Sequence, residues 1–215
     1  LFCKTQTGYH IALFSKYAFT ESKILTKNLW HGAIIAKVKN INIILTHLNP
    51  NSEEARVKEI KLLLKQVDVN EPTILMGDLN SLSPDDPYQE IFLLDTLKKA
   101  GIKKFGQNIL KKDVISTIKS KGLVDLIKLK NKDFQNTVPT AVNKDKNHAA
   151  ALRLDYFFAT PILARQIMKA TVIKDNITDQ LSDHYPIMLE IDDKKRLNIG
   201  IDLDGVIANT NKKKK

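Results

Sequence analysis

Cysteine occurs once in this 215-residue chain, at Cys3, so no intrachain disulfide can close and no cysteine cluster is available for zinc. That scarcity fits a reducing compartment, and a cytoplasmic location is expected. Arginine is nearly as rare, confined to Arg56, Arg153, Arg165 and Arg196, so lysine carries the positive charge. No apolar run approaches the roughly 18 residues of a membrane-spanning helix. The opening Leu-Phe-Cys-Lys-Thr-Gln-Thr is too short and too polar for a signal peptide. Its first residue is Leu, not Met, which points to a piece of a longer protein.

What is present bounds the fold class. A hydrophobic content of 43% suffices for a substantial core, in one large α/β domain or two small ones. The formal charge of +10, from 34 Lys+Arg against 24 Asp+Glu, permits a polyanionic partner such as nucleic acid. The basic residues are scattered and not interleaved with aromatics, however, so solvated lysines explain them as well. A monomer is expected.

Short apolar runs bounded by polar or turn residues predict strands over 9–15, 32–38, 42–47 and 72–76, and again over 154–159, 170–173 and 186–191. Asn51 or Ser52 can cap a helix in which Ala55, Ile60, Leu63, Leu64 and Val67 recur at helical spacing. Further helices are predicted from about 88 to 99 and around 108–120, ended by Gly122. Strands alternating with helices argue for an α/β fold. Residues 130–152 form a long polar stretch, of the kind that is often functional inside a compact domain. The charged break 192–196 reads as a linker, after which a fresh strand begins.

Two strand ends deliver paired polar groups. Gly77-Asp78-Leu79-Asn80 follows the run ending at Met76, and positions i and i+2 of a strand share a side, so Asp78 and Asn80 project together. Asp183 and His184 lead into the last apolar run, the first a hard oxygen ligand suited to Mg²⁺ or Mn²⁺, the second a donor to phosphate when protonated. Phosphoester hydrolysis requires a cation, a group that positions water, and donors to the phosphoryl oxygens. Each need has a residue here. Taken singly, each motif is more often a turn or a cap than a functional pair.

Together and in order they resemble the endonuclease/exonuclease/phosphatase superfamily, which includes pancreatic deoxyribonuclease and abasic-site endonucleases. The blocks are Gly8 to Lys16, Leu45-Thr46-His47-Leu48, Gly77 to Ser81, Gly122 to Asp125, Arg153-Leu154-Asp155-Tyr156 and Leu181 to Pro186. The resemblance implies a four-layer α/β sandwich with two packed mixed sheets, and a Mg²⁺- or Mn²⁺-dependent phosphoester hydrolase acting through an activated water on a phosphorylated substrate. It implies that Asp78 orients or deprotonates the water, Asn80 steadies the phosphorus, Asp183 binds the metal and His184 contacts the scissile phosphate. Asp155 resembles the carboxylate that pairs with that histidine, and His47 the family's other histidine. Arg153 would support the strand end. Thr140 and His148 fall in a stretch similar to less characterised members, and His148 could reach substrate.

The family pattern opens with a strand bearing Asn and then a metal-binding Glu. Neither precedes Gly8, and Glu21, Glu53 and Glu54 lie in unsuitable places, so the sandwich is expected to be incomplete at its N-terminus. A non-catalytic module that binds phosphate ligands is the competing reading. At the other end, Ile199-Gly200-Ile201-Asp202-Leu203-Asp204-Gly205 resembles the opening motif of the haloacid-dehalogenase superfamily, with Asp202 and Asp204 in the nucleophile and acid/base places. The expected organisation is a hydrolase domain over 1–191, a linker over 192–196 and the start of a second domain over 197–215.

Overall fold

A computed structural model describes residues 1–142, 149–192 and 197–201 of the protein. The chain runs β1 (Phe2–Cys3), β2 (Ile11–Ala12), β3 (Phe19–Leu25), β4 (Ala33–Val38), β5 (Ile41–Thr46), α1 (Glu53–Leu64) and β6 (Thr73–Asp78). Next come α2 (Glu90–Lys99), α3 (Asp113–Ser120), β7 (Val124–Asp125), α4 (Leu126–Lys130) and β8 (Asp155–Ala159). The chain continues through α5 (Pro161–Ala164), β9 (Ile167–Val172), β10 (Ile187–Ile191) and β11 (Leu197–Ile201).

The central strands are apolar on both faces, and the strand period of two divides their side chains between two cores. Ile43 and Leu45 of β5 face one core with Ile34 and Ala36 of β4, whereas Ile44 faces the other with Leu75 of β6. Six strands form one sheet in the order β3-β4-β5-β6-β8-β7, made mixed by the parallel pairing of β5 with β6 through the α1 crossover. On one side lie α1 and α3, which bury Ile60, Leu63, Val114, Ile115 and Ile118 against it. The other side packs on an antiparallel sheet, β11-β10-β9, through Ile167, Ala170, Ile187 and Leu189, and the β1-β2 ribbon adds Cys3 and Ile11 to the same core. The α/β sandwich of packed sheets is therefore present, with the mixed pairing confined to the larger sheet.

Ser52 caps α1 by accepting the Ala55 N–H, as its position before the periodic run implies. Three differences from expectation have local causes. The strand expected over 9–15 shortens to β2, because Thr5 turns back to hydrogen-bond the Tyr9 carbonyl and His10 Nδ1. The helix expected around 108–120 starts only at Asp113, since Lys111 N–H closes a turn onto the Phe105 carbonyl. Strand β3 is an edge strand, nearly all exposed, and its Phe-Thr-Glu-Ser-Lys-Ile-Leu sequence carries no alternation. The strand expected after residue 197 exists as β11 and pairs antiparallel with β10, while Asp202 and Asp204 lie outside the described residues. Among the described residues no helix is long and apolar enough to cross a membrane.

Candidate active site

The sheet brings several chain segments to one edge. Because β5 and β6 run parallel, their C-terminal ends place His47 and Asp78 side by side, with His47 Nε2 at 3.3 Å from Asp78 Oδ2. Antiparallel β8 starts where β6 ends, so Asp155 is the registered partner of Asp78. The segment entering β10 adds His184, whose Nδ1 lies 2.8 Å from Asp155 Oδ2. Ligand-bearing atoms of Asp78, Asp155 and His184 all fall within 4.8 Å of one another.

Backbone constraints fix the Gly77-Asp78-Leu79-Asn80 turn. Gly77 has φ +134°, and a Cβ there would meet the Thr46 carbonyl oxygen at 1.8 Å, so no other residue fits. Asn80 sits in the left-handed region at φ 49°, which asparagine tolerates better than most. Its N–H donates to Asp78 Oδ1 at 2.7 Å, and its amide nitrogen donates to Asp78 Oδ2 at 3.1 Å and to the Leu48 carbonyl at 3.2 Å. Asn80 thereby holds the Asp78 carboxylate in place.

The electrostatics follow from burial among opposite charges. Burial alone would lower the His184 pKa, but Asp155, Asp78 and Asp183 overcome it and raise the imidazole to about 9, so the ring is an imidazolium at neutral pH. Burial pushes the Asp155 carboxyl up, against the pull of His184. For Asp78 the balance goes the other way: burial raises it, yet His47, His184 and Lys104 hold it below the usual carboxylate range. Asp78 is a charged acceptor, the state in which a carboxylate can take a proton from water. Asp155 Oδ1 is buried without a hydrogen-bond partner.

Several further residues support the site. Lys104, from the loop between α2 and α3, donates from Nζ to Asn80 Oδ1 at 3.2 Å. Thr137, in the polar stretch, accepts the Leu154 and Asp155 N–H groups at its hydroxyl, and its carbonyl accepts the Tyr185 N–H at 2.7 Å. Thr140 Oγ1 donates to the Ser182 carbonyl, so this part of the polar stretch is sewn to the His184 segment. His31 packs against His47 with ring centroids 4.2 Å apart and planes tilted by 35°, and its Nδ1 is 2.7 Å from Thr7 Oγ1. Burial first, and the neighbouring His47 second, lower its pKa to about 4, so it is neutral. Buried Arg56 donates to Glu53, to Ser81 Oγ and to the Asn49 and Lys104 carbonyls, tying α1 to the turn after Asn80 and to the Lys104 loop.

Of the residues singled out by sequence, Asp78, Asn80, His47, Asp155 and His184 meet here. Asp183 is exposed beside His184, with Ser182 Oγ donating to it at 3.3 Å, and it stands outside the tight three-residue cluster. Arg153 is buried, forked onto Asp86 and bonded to Asp125, as a strand-end support. Glu21 lies on β3, Glu53 is buried against Arg56, and Glu54 is exposed at the start of α1. His148 lies outside the described residues.

The family model described as the Endonuclease/Exonuclease/phosphatase family matches residues 4–184. A search of the curated proteins finds no match. Similar solved structures include an AP endonuclease from Archaeoglobus fulgidus, 22% identical at TM-score 0.53, which covers 75% of this chain and 65% of that one. The 3′ phosphatase NExo from Neisseria, bound to product DNA hairpin, is 16% identical at TM-score 0.59 over 83% of this chain and 73% of its own. An endonuclease/exonuclease/phosphatase family protein from Leptotrichia buccalis is 21% identical at TM-score 0.55, covering 83% and 63%. Identities this low establish the shared fold, and the chain spans about two thirds of these proteins' length. With its family match running through most of the sandwich and all the strand ends described above, this chain belongs to the Endonuclease/Exonuclease/phosphatase family.

Proposed function

We propose that the protein is a divalent-metal-dependent phosphoester hydrolase, with its catalytic domain over residues 1–191. The observation that carries this reading is the ionised Asp78 carboxylate held within 4.8 Å of the Asp155–His184 pair. Asp78 takes a proton from the attacking water, whose oxygen forms the new bond to phosphorus as the ester oxygen departs. His184, kept charged by Asp155, donates to a phosphoryl oxygen where negative charge builds. Asn80 fixes Asp78: both hydrogens of its Nδ2 are spent, on Asp78 Oδ2 and the Leu48 carbonyl, so it acts on the phosphate through that carboxylate. His47, beside Asp78, stands toward the leaving group.

The donor set suits a hard dication, Mg²⁺ or Mn²⁺. His184 is protonated at neutral pH and spends Nδ1 on Asp155, so oxygen donors would hold the ion: Asp183, with the unpartnered Asp155 Oδ1 in the adjoining cluster. When bound, the ion supplies charge neutralisation at the phosphate and the leaving oxygen. Nucleic acid is the proposed substrate class, on the strength of the +10 charge. Hydrolysis of bis(p-nitrophenyl) phosphate in Mg²⁺ tests the reading: Asp78→Asn and His184→Ala should each abolish it. Undiminished turnover in both variants would falsify the assignment. No turnover in the unmodified protein leaves only a phosphate-binding module.

A further inference from the structure

The turn between β3 and β4 builds a feature that the proposed hydrolysis does not use. Trp30, the only tryptophan, is 47% exposed, yet its backbone is firmly held: its N–H donates to Glu59 Oε1 at 2.6 Å. The other oxygen of that buried carboxylate accepts the Asn49 N–H at 2.7 Å. The indole, edge-to-face with His31 at 6.4 Å, is therefore half exposed on a fixed turn. Leaving so large an apolar surface exposed forgoes a substantial burial free energy.

Trp30 lines a cleft of about 590 Å³ together with Lys4, Gln6, Lys27, Asn28 and His31. That volume accommodates a nucleotide-sized occupant. The lysines make the rim cationic, and the two oxygens of Glu59 are already engaged by N–H donors. One wall, His31, is shared with the proposed reaction centre: its ring packs against His47, whose Nε2 is 3.3 Å from Asp78. Tyr9, 68% exposed, stands edge-on to both rings, 5.4 Å from His31 and 6.4 Å from His47. Lysines and aromatics that are scattered in sequence thus gather in space: Lys4 and Lys27 line the cleft with Trp30, and exposed Tyr9 and half-buried His47, in contact through buried His31, lead to Asp78.

We infer that this cleft binds single-stranded nucleic acid, a base stacking on Trp30 and the backbone phosphates lying against Lys4 and Lys27, so that the strand continues toward Asp78 and His184. Cations beside an exposed aromatic ring are the chemistry that holds an unpaired strand, because every base offers a π-face and every linkage a negative charge. A duplex cannot use it, since its bases are stacked on one another. The inference rests on the hydrolase reading only for where the scissile phosphate goes.

Binding is measured apart from cleavage, in EDTA, by the fluorescence of the single tryptophan. A short oligothymidylate should quench it saturably, and the affinity should fall steeply with salt. The Lys4→Ala/Lys27→Ala double variant, altered only at exposed residues, should bind about tenfold or more weakly, its log–log salt slope shallower by about 1.4 for two lost phosphate contacts. An abasic oligomer of equal length should leave the fluorescence nearly unchanged and bind about tenfold more weakly, as measured by competition. Any of three results overturns the inference: no change in fluorescence, equal affinity for the abasic strand, or an unaltered double variant. Quenching without hydrolysis of any phosphodiester in Mg²⁺ removes the hydrolase reading and leaves the cleft. Hydrolysis without quenching does the reverse.

Discussion

Asp78 and Asp155 stand opposite each other as registered neighbours on antiparallel strands β6 and β8. Two carboxylates so placed repel one another and work against the strand pairing. The fold offsets this by giving each its own imidazole, His47 at 3.3 Å from Asp78 and His184 at 2.8 Å from Asp155. The consequence is division of labour. One carboxylate is spent on keeping a histidine charged, and the other stays ionised beside it.

Asp155→Asn should separate those roles. Asparagine keeps the shape but removes the largest of the charges that oppose burial of His184, so the imidazole pKa should drop well below about 9. Proton NMR titration of the ring, identified by its absence in His184→Ala, measures this directly. Hydrolysis at neutral pH should fall on the order of 10–100-fold, as for loss of other groups that orient a catalytic histidine. A ring that still titrates near 9 would mean that Asp155 is not what charges it.

Gly77 can be tested against another glycine of positive φ. Gly77→Ala drives a Cβ into the Thr46 backbone, which cannot yield without opening the β5–β6 pairing that carries His47 and Asp78. Gly101→Ala, at φ +75° with nothing within 4 Å, incurs only the left-handed penalty. Urea unfolding should show a loss of about 3 kcal/mol or more for the first, and about 1 kcal/mol for the second. Comparable losses at the two positions would contradict the close approach.

Much of this site was legible because its residues sit at the ends of the strands easiest to read. β4, β5, β6, β8 and β10 are apolar runs bounded by polar residues; His47, Asp78 and Asp155 stand at or next to one of those ends, and His184 three residues before β10. Pairing order was not legible, so neither was the Asp78–Asp155 opposition. Lys104 and His31 were invisible for a related reason. Each reaches the site through tertiary contacts across 24 and 16 residues, to Asn80 and His47, and a lysine or a histidine in a loop has no pattern of its own. β3 was missed because an exposed edge strand needs no alternation, and α4 and α5 because helices of five and four residues are too short for periodicity to show.

Arg56 shows what a buried ion holds together. It is fully buried, and its guanidinium serves Glu53, Ser81 and two backbone carbonyls. Arg56→Met strands the Glu53 charge and those carbonyls, and should cost about 3–5 kcal/mol in urea unfolding. Lys99→Met breaks only the exposed pair with Asp95, and should stay within about 0.5 kcal/mol. Because Arg56 also holds the Lys104 carbonyl, the folded fraction of Arg56→Met should lose hydrolytic activity beyond its loss of stability. Unchanged activity per folded molecule would make Arg56 purely structural.

The two buried histidines bracket the pH range of greatest stability. His184 has a folded pKa of about 9, above the 6.5 of a free imidazole, so the folded state binds its proton more tightly. That stabilisation is fully present below about pH 6.5 and is lost as pH rises through 9, in all on the order of 3 kcal/mol. His31 has the opposite displacement, to about 4, so the unfolded chain binds its proton more tightly and stability falls as pH drops from 6.5 toward 4. Carboxylate losses, Asp78 included, add to the acid side at lower pH because its folded pKa is depressed. Urea unfolding in EDTA across pH 4 to 10 should therefore give a maximum near pH 6–7. His184→Gln should flatten the alkaline limb and leave the fall from pH 6.5 toward 4 that His31 causes, and His31→Gln should remove that fall and leave the alkaline limb. An alkaline limb that persists in His184→Gln would place the titrating proton elsewhere and remove the charged imidazole from the proposed site.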